Sequence, residues 1–324
     1  MNDPEGSPYL TQMKYKNNKK NKYKKVSCPK CNSENIVKRG FFKTQAHGKQ
    51  QRYFCKNCNK KIIEQTPFYR MRNNPQKISL SLDLFFRGLS TREVQSHLQA
   101  FYPHNASNVS IYNWIVRFSR QISKFTDRLK IKSGSYIEVD EMEYHRRKSH
   151  KAKLGIERNW FIDAIDVKTR FLISSTYTKN RNRKEIKSVL EKIKSKTGEQ
   201  VKIVTTDGFN VYKKSVKKIF GYNNKLGKYN VSHNIITQSR GEGFNIWVER
   251  LHNSIRQRTH GFRGLHGSIE SAYSIMKGIE IYYNFIKKHE ALKGKTPSEL
   301  AIPELNFETP NRWLELIKLS AQNN

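Results

Sequence analysis

Three acidic residues occupy positions that suit a shared catalytic centre. Asp140 ends an apolar-alternating run that begins at Ser135, and Asp207 ends a β-rich run that begins at Val201. Glu249 lies within a stretch of helical character. Two acids at strand ends and one on a helix can hold a pair of hard divalent cations, which clamp the attacking and leaving oxygens of a phosphodiester. The pattern therefore predicts the cutting or joining of nucleic acid.

The charge of the chain points to the same class of partner. Lys and Arg number 62 against 27 Asp and Glu in 324 residues, which gives a formal net charge of +35. Solubility does not need an excess of this size, so a polyanion such as nucleic acid is the expected partner. A ribosomal or RNA-packaging protein would also be basic, but that class does not account for the three acids.

The sequence contains no run of about 18 apolar residues, so we expect no membrane-spanning helix and no membrane partner. Its first residues also lack the charged-then-apolar pattern of a secretory signal. We therefore expect a cytoplasmic, nucleoid-associated protein whose four cysteines meet a reducing environment.

The four cysteines form two closely spaced pairs. Cys28 and Cys31 make one CxxC motif, and Cys55 and Cys58 make another after 23 intervening residues. Two tight turns of this kind can complete a tetrahedral zinc site, and four protein ligands would make that zinc structural. Redox chemistry and structural disulfides are the alternatives, although redox use needs one pair and a βαβ frame that is missing here. We expect a zinc ribbon with one Zn²⁺ over residues 26–66.

Basic and aromatic residues alternate between the cysteine pairs. Lys43 and Arg52 are interleaved with Phe42 and Tyr53, an arrangement that could follow a DNA backbone. A solvated surface is the alternative interpretation. Residues 1–25 are rich in lysine and poor in apolar residues, which predicts a basic flexible tail.

Helical patterns dominate residues 75–125. Ser90 and Glu93 have the spacing of a capping box, which follows a short glycine-containing turn. A helix, a tight turn, a capped helix and a further helix together suit a helix-turn-helix DNA-binding domain. Arg117 and Arg120 lie off the apolar stripe of the third helix and are candidate DNA contacts. A small helical bundle without DNA contacts is the alternative.

The pattern changes to period-two strands at about residue 133. The predicted order is strand 135–143, strand 159–166, strand 170–177, helix 183–196, strand 201–206 and then further helices. This is the order of the ribonuclease-H-like fold, which has a mixed five-stranded sheet with helices. We therefore predict a multidomain α/β protein whose catalytic domain has this fold. Its first and fourth strands lie side by side, so Asp140 and Asp207 would approach each other. We assign residues 133–290 to this domain and 291–324 to a C-terminal tail.

The helical stretch around Glu249 has an apolar stripe. Trp247, Leu251 and Ile255 are spaced to form a buried face, and Glu249 falls roughly opposite its centre. The residues that share the face of Glu249 are His252, Asn253 and Arg256. A solvated ion pair is the alternative interpretation of this glutamate.

The order of several short motifs resembles that of insertion-sequence DDE transposases, which are relatives of retroviral integrases. The motifs are Val139-Asp140-Glu141, Thr206-Asp207-Gly208, Val248 to Arg258 followed by Gly261-Phe262-Arg263-Gly264, and a closing segment from Tyr283 to Leu300. Each motif is short, but all stand in the family's order. A front half made of a zinc ribbon and a helix-turn-helix is similar to that of several such transposases.

The resemblance implies a DDE centre of Asp140, Asp207 and Glu249 that binds two Mg²⁺ or Mn²⁺ ions. It implies hydrolysis at transposon ends to free a 3′-hydroxyl, which then attacks target DNA. The expected partner is double-stranded DNA, with at least a homodimer bringing two ends together. His252, Arg256 and Arg258 are further candidate DNA contacts.

Two details depart from the simplest assignment. The 41 residues between Asp207 and Glu249 exceed the gap in many relatives, so Glu242 is a weaker substitute for Glu249. Glu141 should point to the opposite sheet face from Asp140 because strand side chains alternate. Asp163 and Asp166 are expected to be hairpin or strand-edge acids.

Two rival functions remain open from the sequence. One is a site-specific DNA nuclease on the same fold that cuts without joining. The other is a non-catalytic DNA-binding regulator, which the three intact acids argue against.

Overall fold

A computed structural model describes residues 26–44, 46–102, 106–147, 156–236, 245–260 and 265–322. The chain divides into two compact units at residues 64 and 65. The predicted basic tail, Glu242 and the motif from Gly261 to Gly264 lie outside the described residues.

The first unit is a three-stranded antiparallel sheet. Its strands are β1 (Ile36–Thr44), β2 (Gly48–Cys55) and β3 (Lys60–Ile63). Gly48 has φ +64°, a conformation that glycine adopts without steric cost at the turn into β2. Cys28, Cys55 and Ile62 are the buried centre of this unit. Such a small apolar core is typical of modules that rely on a metal or cross-links.

The second unit begins with three helices. They are α1 (Pro75–Phe86), α2 (Thr91–Phe101) and α3 (Asn108–Thr126). The predicted capping box is present, because Ser90 accepts from the Glu93 N–H and Glu93 accepts from the Ser90 N–H. Ser107 caps the start of α3, where its side chain accepts the N–H of Ser110.

The chain then alternates strands with helices. The elements are β4 (Tyr136–Glu143), β5 (Arg146–Arg147), β6 (Ile156–Glu157), β7 (Trp160–Asp166), β8 (Leu172–Thr178), α4 (Arg183–Thr197), β9 (Ile203–Thr206), α5 (Asn210–Phe220), β10 (Tyr222–Asn223), β11 (Lys228–Tyr229) and β12 (Ser232–Ile235).

Helices close the second unit. They are α6 (Ile246–His260), α7 (Ile269–Ile281), α8 (Pro297–Ala301) and α9 (Arg312–Gln322), with the short strand β13 (Leu265–His266) before α7. A π-helical segment, Tyr282–Ile286, and a short 3₁₀ segment, Glu290–Leu292, follow α7.

A mixed five-stranded sheet forms the centre of the second unit, as predicted. Its order is β12-β9-β4-β7-β8, with β4, β7 and β8 antiparallel and with β9 and β12 parallel to β4. The predicted neighbourhood of the first and fourth strands is therefore confirmed by the pairing of β4 with β9. Asp140 lies directly opposite Asp163 in the register of β4 and β7.

The helices α3 and α7 pack closely against each other. Gly278 makes this possible, because a Cβ atom there would lie 2.0 Å from the ring of Phe86 and 2.5 Å from the hydroxyl of Ser119. Trp313 of α9 stacks on Phe86 with ring centroids 5.2 Å apart. The segment predicted as a C-terminal tail thus includes a packed helix, because Trp313, Leu316 and Ile317 form a buried apolar side. The predicted domain limits otherwise stay a prediction.

A buried ion cluster joins α3, α4 and α7. Lys277 contacts Asp127 at 2.9 Å and Glu280 at 2.7 Å, while Lys196 contacts Asp127 at 3.5 Å. Both lysines are almost fully buried. Each buried charge therefore has an opposite charge beside it, which the low-dielectric interior requires. None of the helices in the described ranges is long and apolar enough to cross a bilayer.

Candidate active site

Two aspartates converge where β9 ends beside β4. Strand β9 runs parallel to β4 and pairs with it from Tyr136 to Glu138, so Asp207, the residue after β9, emerges next to Asp140. Oxygen atoms of Asp140, Glu141 and Asp207 all lie within 4.8 Å of one another. Grouped carboxylate oxygens are the donors that hard divalent cations prefer, so the donor set fits Mg²⁺ or Mn²⁺.

Glu141 belongs to this group, which strand alternation did not predict. Asp140 faces His252, whereas Glu141 pairs with Arg181, so their neighbours differ as alternation requires. Their carboxylates nevertheless converge, beside the part of β4 that lies beyond its pairing with β9. Alternation was expected to separate Glu141 from Asp140, yet one oxygen of each lies within 4.8 Å of the other.

Burial, together with the charges of neighbouring acids, raises the pKa values of Asp140 and Glu141. Burial raises the pKa of Asp140 to about 6, and the charges of Asp207 and Glu249 add to this effect. Burial likewise raises the pKa of Glu141 to about 7, again with a contribution from Asp207. The group is therefore short of positive charge, a deficit that bound cations would correct.

One arginine bridges the cluster. Arg181 contacts Glu141 at 3.2 Å and Asp207 at 3.1 Å. Its guanidinium lies 4.1 Å from the ring centroid of Phe209, which limits its movement. Phe209 in turn donates its backbone N–H to Asp207 at 3.0 Å. Arg181 was not among the residues singled out in the sequence, since nothing in its local pattern signals this long-range contact.

Glu249 stands in the first turn of α6, beside the cluster. The carboxylate of Glu138 on β4 accepts the N–H groups of Trp247 at 2.8 Å and of Val248 at 3.1 Å, which fixes the start of α6 next to the strand of Asp140. The charge of Glu249 acts on Asp140. Among the described residues, however, the group of acids within 4.8 Å consists of Asp140, Glu141 and Asp207 and does not contain Glu249.

The buried face of α6 differs by one position from the predicted stripe. Its buried residues are Val248, Leu251, His252, Ile255 and Thr259. Trp247 is only half-buried and lies beneath the guanidinium of Arg170 at 3.1 Å. His252 consequently faces the sheet and not the solvent, although it was expected on the face of Glu249.

His252 lies between two aspartates. Its Nδ1 atom is 3.8 Å from Asp140 Oδ2, and its Nε2 atom is 3.2 Å from Asp163 Oδ2. Asp163 is fully buried in the middle of the sheet, so the expectation of a hairpin or strand-edge acid is wrong. An acid inside the apolar run from Phe161 to Ile165 is the signal that could have identified it, since a buried carboxylate needs a partner.

The predicted DNA-contacting arginines of this unit are Arg117, Arg120, Arg256 and Arg258. Arg120 and Arg256 are exposed. Arg117 is also exposed and donates to the carbonyl oxygen of Pro67 at 3.1 Å. Arg258 donates to the carbonyl oxygen of Phe86 at 3.1 Å. Their contacts with DNA stay predictions.

The comparisons with known proteins bear on this site. Residues 153–289 match a family model, DDE_Tnp_IS240, which is described as a DDE domain. The match supports an insertion-sequence DDE transposase. It begins after Asp140 and includes Asp207 and Glu249, and the mixed five-stranded sheet fits a ribonuclease-H-like DDE domain. A transposase domain implies a DNA substrate and a divalent-metal mechanism of the DDE type. No curated protein matches the chain.

The second candidate site is the group of four cysteines in the first unit. Sulfur atoms of Cys28, Cys31, Cys55 and Cys58 all lie within 4.8 Å of one another. The Sγ atoms of Cys28 and Cys58 are 3.5 Å apart, and those of Cys31 and Cys55 are 3.6 Å apart. These separations exclude disulfides and are close to the roughly 3.8 Å expected between sulfurs on one tetrahedral zinc.

Backbone N–H groups in the two turns favour the thiolate form of two cysteines. The N–H of Lys30 is the main cause that lowers the pKa of Cys28 to about 6. The N–H of Cys58 likewise lowers the pKa of Cys55. Zinc binds thiolates, so this arrangement fits a structural zinc ion.

The candidate DNA contacts of the first unit lie on its hairpin. Lys43 and Arg52 are both exposed, and the guanidinium of Arg52 lies 4.8 Å from the ring centroid of Phe42. Lys49 stands over the ring of Phe41 at 4.3 Å. The hairpin thus presents paired cations and aromatic rings, and its binding to DNA stays a prediction.

Proposed function

We propose that the protein is a DNA transposase that hydrolyses the phosphodiester at transposon ends and joins the freed 3′-hydroxyl to target DNA. The observation that carries this proposal is the convergence of Asp140, within β4, and Asp207, directly after the neighbouring strand β9, with α6 anchored beside them by Glu138. The match to a DDE domain supports it independently.

Asp140, Asp207 and Glu249 would hold the cations in this proposal. Two bound Mg²⁺ or Mn²⁺ ions would supply an activated water and stabilise the charge that develops on the phosphate. The chain itself supplies position: β4 and β9 fix the aspartates, while Glu138 fixes the first turn of α6 that carries Glu249. No covalent protein–DNA intermediate is needed, so no Ser or Tyr nucleophile is assigned.

Basic surfaces would bind the DNA backbone. Residues 208–236 contain six lysines and no acidic residue, and this segment begins directly after Asp207. Arg256 is exposed on α6, one turn beyond His252. Affinity for DNA should fall steeply with salt, because these cations neutralise phosphates and release counterions.

The front half would recognise the transposon ends. Four cysteines would hold one Zn²⁺ and so fold a zinc ribbon, whose Lys43 and Arg52 would contact phosphates. Helices α1 to α3 would act as a helix-turn-helix, with Arg117 and Arg120 toward DNA. A homodimer or higher oligomer would bring two ends together.

The test uses purified protein, the DNA that flanks the gene as a source of end sequences, and Mg²⁺. Asp140→Asn and Glu249→Gln should each lower end cleavage and strand transfer by about a thousandfold or more, since each removes a metal ligand. Glu191→Gln is the matched control, because Glu191 makes an exposed pair with Lys187 on α4. Wild-type rates in Asp140→Asn would overturn the proposal.

Pre-cleaved ends separate the rival functions. Strand transfer from such ends is expected for a transposase. Cleavage of intact ends without any joining would identify a nuclease instead. DNA binding without metal-dependent nicking would identify a regulator.

A further inference from the structure

A buried row of three side chains crosses from the sheet to α6. Asp163 of β7, His252 of α6 and Asp140 of β4 follow one another, with an imidazole nitrogen facing each carboxylate. Asp140 and Asp163 are register partners on adjacent strands, so both side chains stand on the sheet face that α6 covers. At one end of the row, Asp163 is fully buried in the sheet. At the other end, Asp140 belongs to the acidic group.

Burial of the Asp163 carboxylate at this position costs free energy. It is fully buried, and its Oδ1 atom accepts the hydroxyl of Ser175. Within the described residues, Asp163 Oδ2 and His252 Nε2 have no aligned hydrogen bond, although they face each other at 3.2 Å. An apolar side chain would pack here without this cost, so the pair needs an explanation beyond stability.

We propose that Asp163 is a positioning residue that acts through His252 to orient the Asp140 carboxylate toward its cation. The inference rests on the proposed function and adds residues outside the acidic triad. A small rotation of the imidazole would align Nε2 with Asp163. Nδ1 would then be fixed toward Asp140 Oδ2, which leaves the other oxygen of Asp140 for the metal. Partners that orient a ligating side chain commonly change metal affinity by tenfold or more.

A purely structural role predicts something different. In that case the row would only attach α6 to the sheet, and its loss would lower stability without changing metal affinity. Asp166 provides the matched comparison, because it is also a fully buried aspartate of β7. Its carboxylate accepts the N–H groups of Gly134 and Thr169, each at 2.8 Å, and so holds a turn.

The experiment measures Mn²⁺ binding to the zinc-loaded full chain by electron paramagnetic resonance, without DNA. Asp163→Asn should weaken Mn²⁺ binding by about tenfold, and its cleavage activity should recover at higher Mn²⁺. Asp166→Asn should lower the melting temperature and leave Mn²⁺ affinity at the wild-type value. Wild-type Mn²⁺ affinity in Asp163→Asn, with a lowered melting temperature, would overturn the inference.

Substitutions of His252 test which imidazole nitrogen orients the Asp140 carboxylate. The amide of Asn replaces Nδ1 most closely, and the amide of Gln replaces Nε2. His252→Asn should therefore keep more Mn²⁺ affinity than His252→Gln, and the reverse order would contradict the inference.

Asp140→Asn separates this inference from the proposed function. If Asp140→Asn abolishes Mn²⁺ binding while Asp163→Asn binds like wild type, only the positioning role fails. If Asp140→Asn binds Mn²⁺ like wild type, the metal site of the proposed function fails itself.

Discussion

The carboxylate of Glu138 accepts the backbone N–H of Trp247 at 2.8 Å, so the strand of Asp140 holds the first turn of the helix that carries Glu249. A carboxylate at a helix N-terminus satisfies unpaired N–H groups and interacts favourably with the helix dipole. Glu138, which would bind no metal, thereby positions Asp140 and Glu249 relative to each other, although these two residues are distant in sequence.

Replacement of Glu138 by Ala should weaken both stability and cleavage. We expect a loss of about 1–2 kcal/mol in the free energy of unfolding, because the start of α6 loses its cap. Metal-dependent cleavage should fall further than stability alone explains, while Glu138→Gln, which keeps one acceptor oxygen, should be milder. Urea unfolding and end-cleavage rates measure the two effects.

The control for that change is Glu299→Ala. Glu299 completes a capping box with Thr296 at the start of α8. Its loss should lower stability while cleavage at saturating Mg²⁺ stays close to wild type. Equal losses of cleavage in both variants would show that Glu138 has no particular role at the site.

The metal-free protein should become more stable when Asp140 is replaced by Asn at pH 8. The pKa of Asp140 is raised to about 6 in the folded chain, chiefly by burial, against about 3.9 when unfolded. A raised carboxyl pKa contributes stability that is complete below the unfolded pKa and is lost as pH rises through about 6. We expect a gain on the order of 1–3 kcal/mol for Asp140→Asn at pH 8.

The pH dependence checks the sign of that effect. The melting temperature of the metal-free wild type should fall between pH 5 and pH 8 more than that of Asp140→Asn. Added Mg²⁺ should stabilise the wild type at pH 8 and have little effect on the variant. A variant that is less stable than wild type at pH 8 without metal would contradict the electrostatic explanation.

Removal of zinc should unfold the first unit. We expect one zinc per chain by elemental analysis, and a loss of most of it in Cys58→Ser, because three thiolates and a hydroxyl bind zinc far more weakly. Binding to transposon ends should then weaken. Ser33→Ala, beside the turn of the other cysteine pair, is the control that should keep its zinc. Cysteines that are oxidised and zinc-free in the active wild-type protein would exclude the metal site.

Replacement of Lys277 by Met should destabilise the second unit strongly. The change leaves Asp127 and Glu280 without their closest cation, and breaking a buried ion network from one side costs about 3–5 kcal/mol. Lys187→Met is the matched control, because its pair with Glu191 is exposed and should be worth less than about 1 kcal/mol. Similar unfolding free energies for both variants would contradict this account of the cluster.

Local sequence patterns predicted much of the architecture. Period-two alternation located β4, β7 and β8, helical spacing located α3 and α4, and the CxxC spacing located the cysteine group, because each signal lies within one element. The pairing of β4 with β9 also followed from the order of elements. Apart from that pairing, these features depend on residue spacing within a single element.

The details of the site depended on contacts between distant segments. Glu141 joins the acidic group through its approach to Asp207, a residue on a distant segment, which alternation along β4 does not encode. The buried side of α6 includes His252, which faces acids on two strands far away in the chain. Asp163 was misjudged because its partner lies 89 positions later in the chain, counted from 163 to 252.

The ion cluster formed by Lys277, Lys196, Asp127 and Glu280 has a mechanical consequence. To swing α3 away from the sheet, the chain would have to pull opposite charges apart in a medium that barely screens them. The helices proposed to grip the element end and the acids proposed to cut it would then turn as one rigid body. If the proposed DNA contacts form, the scissile bond would then lie a fixed number of base pairs from the sequence that the helices bind.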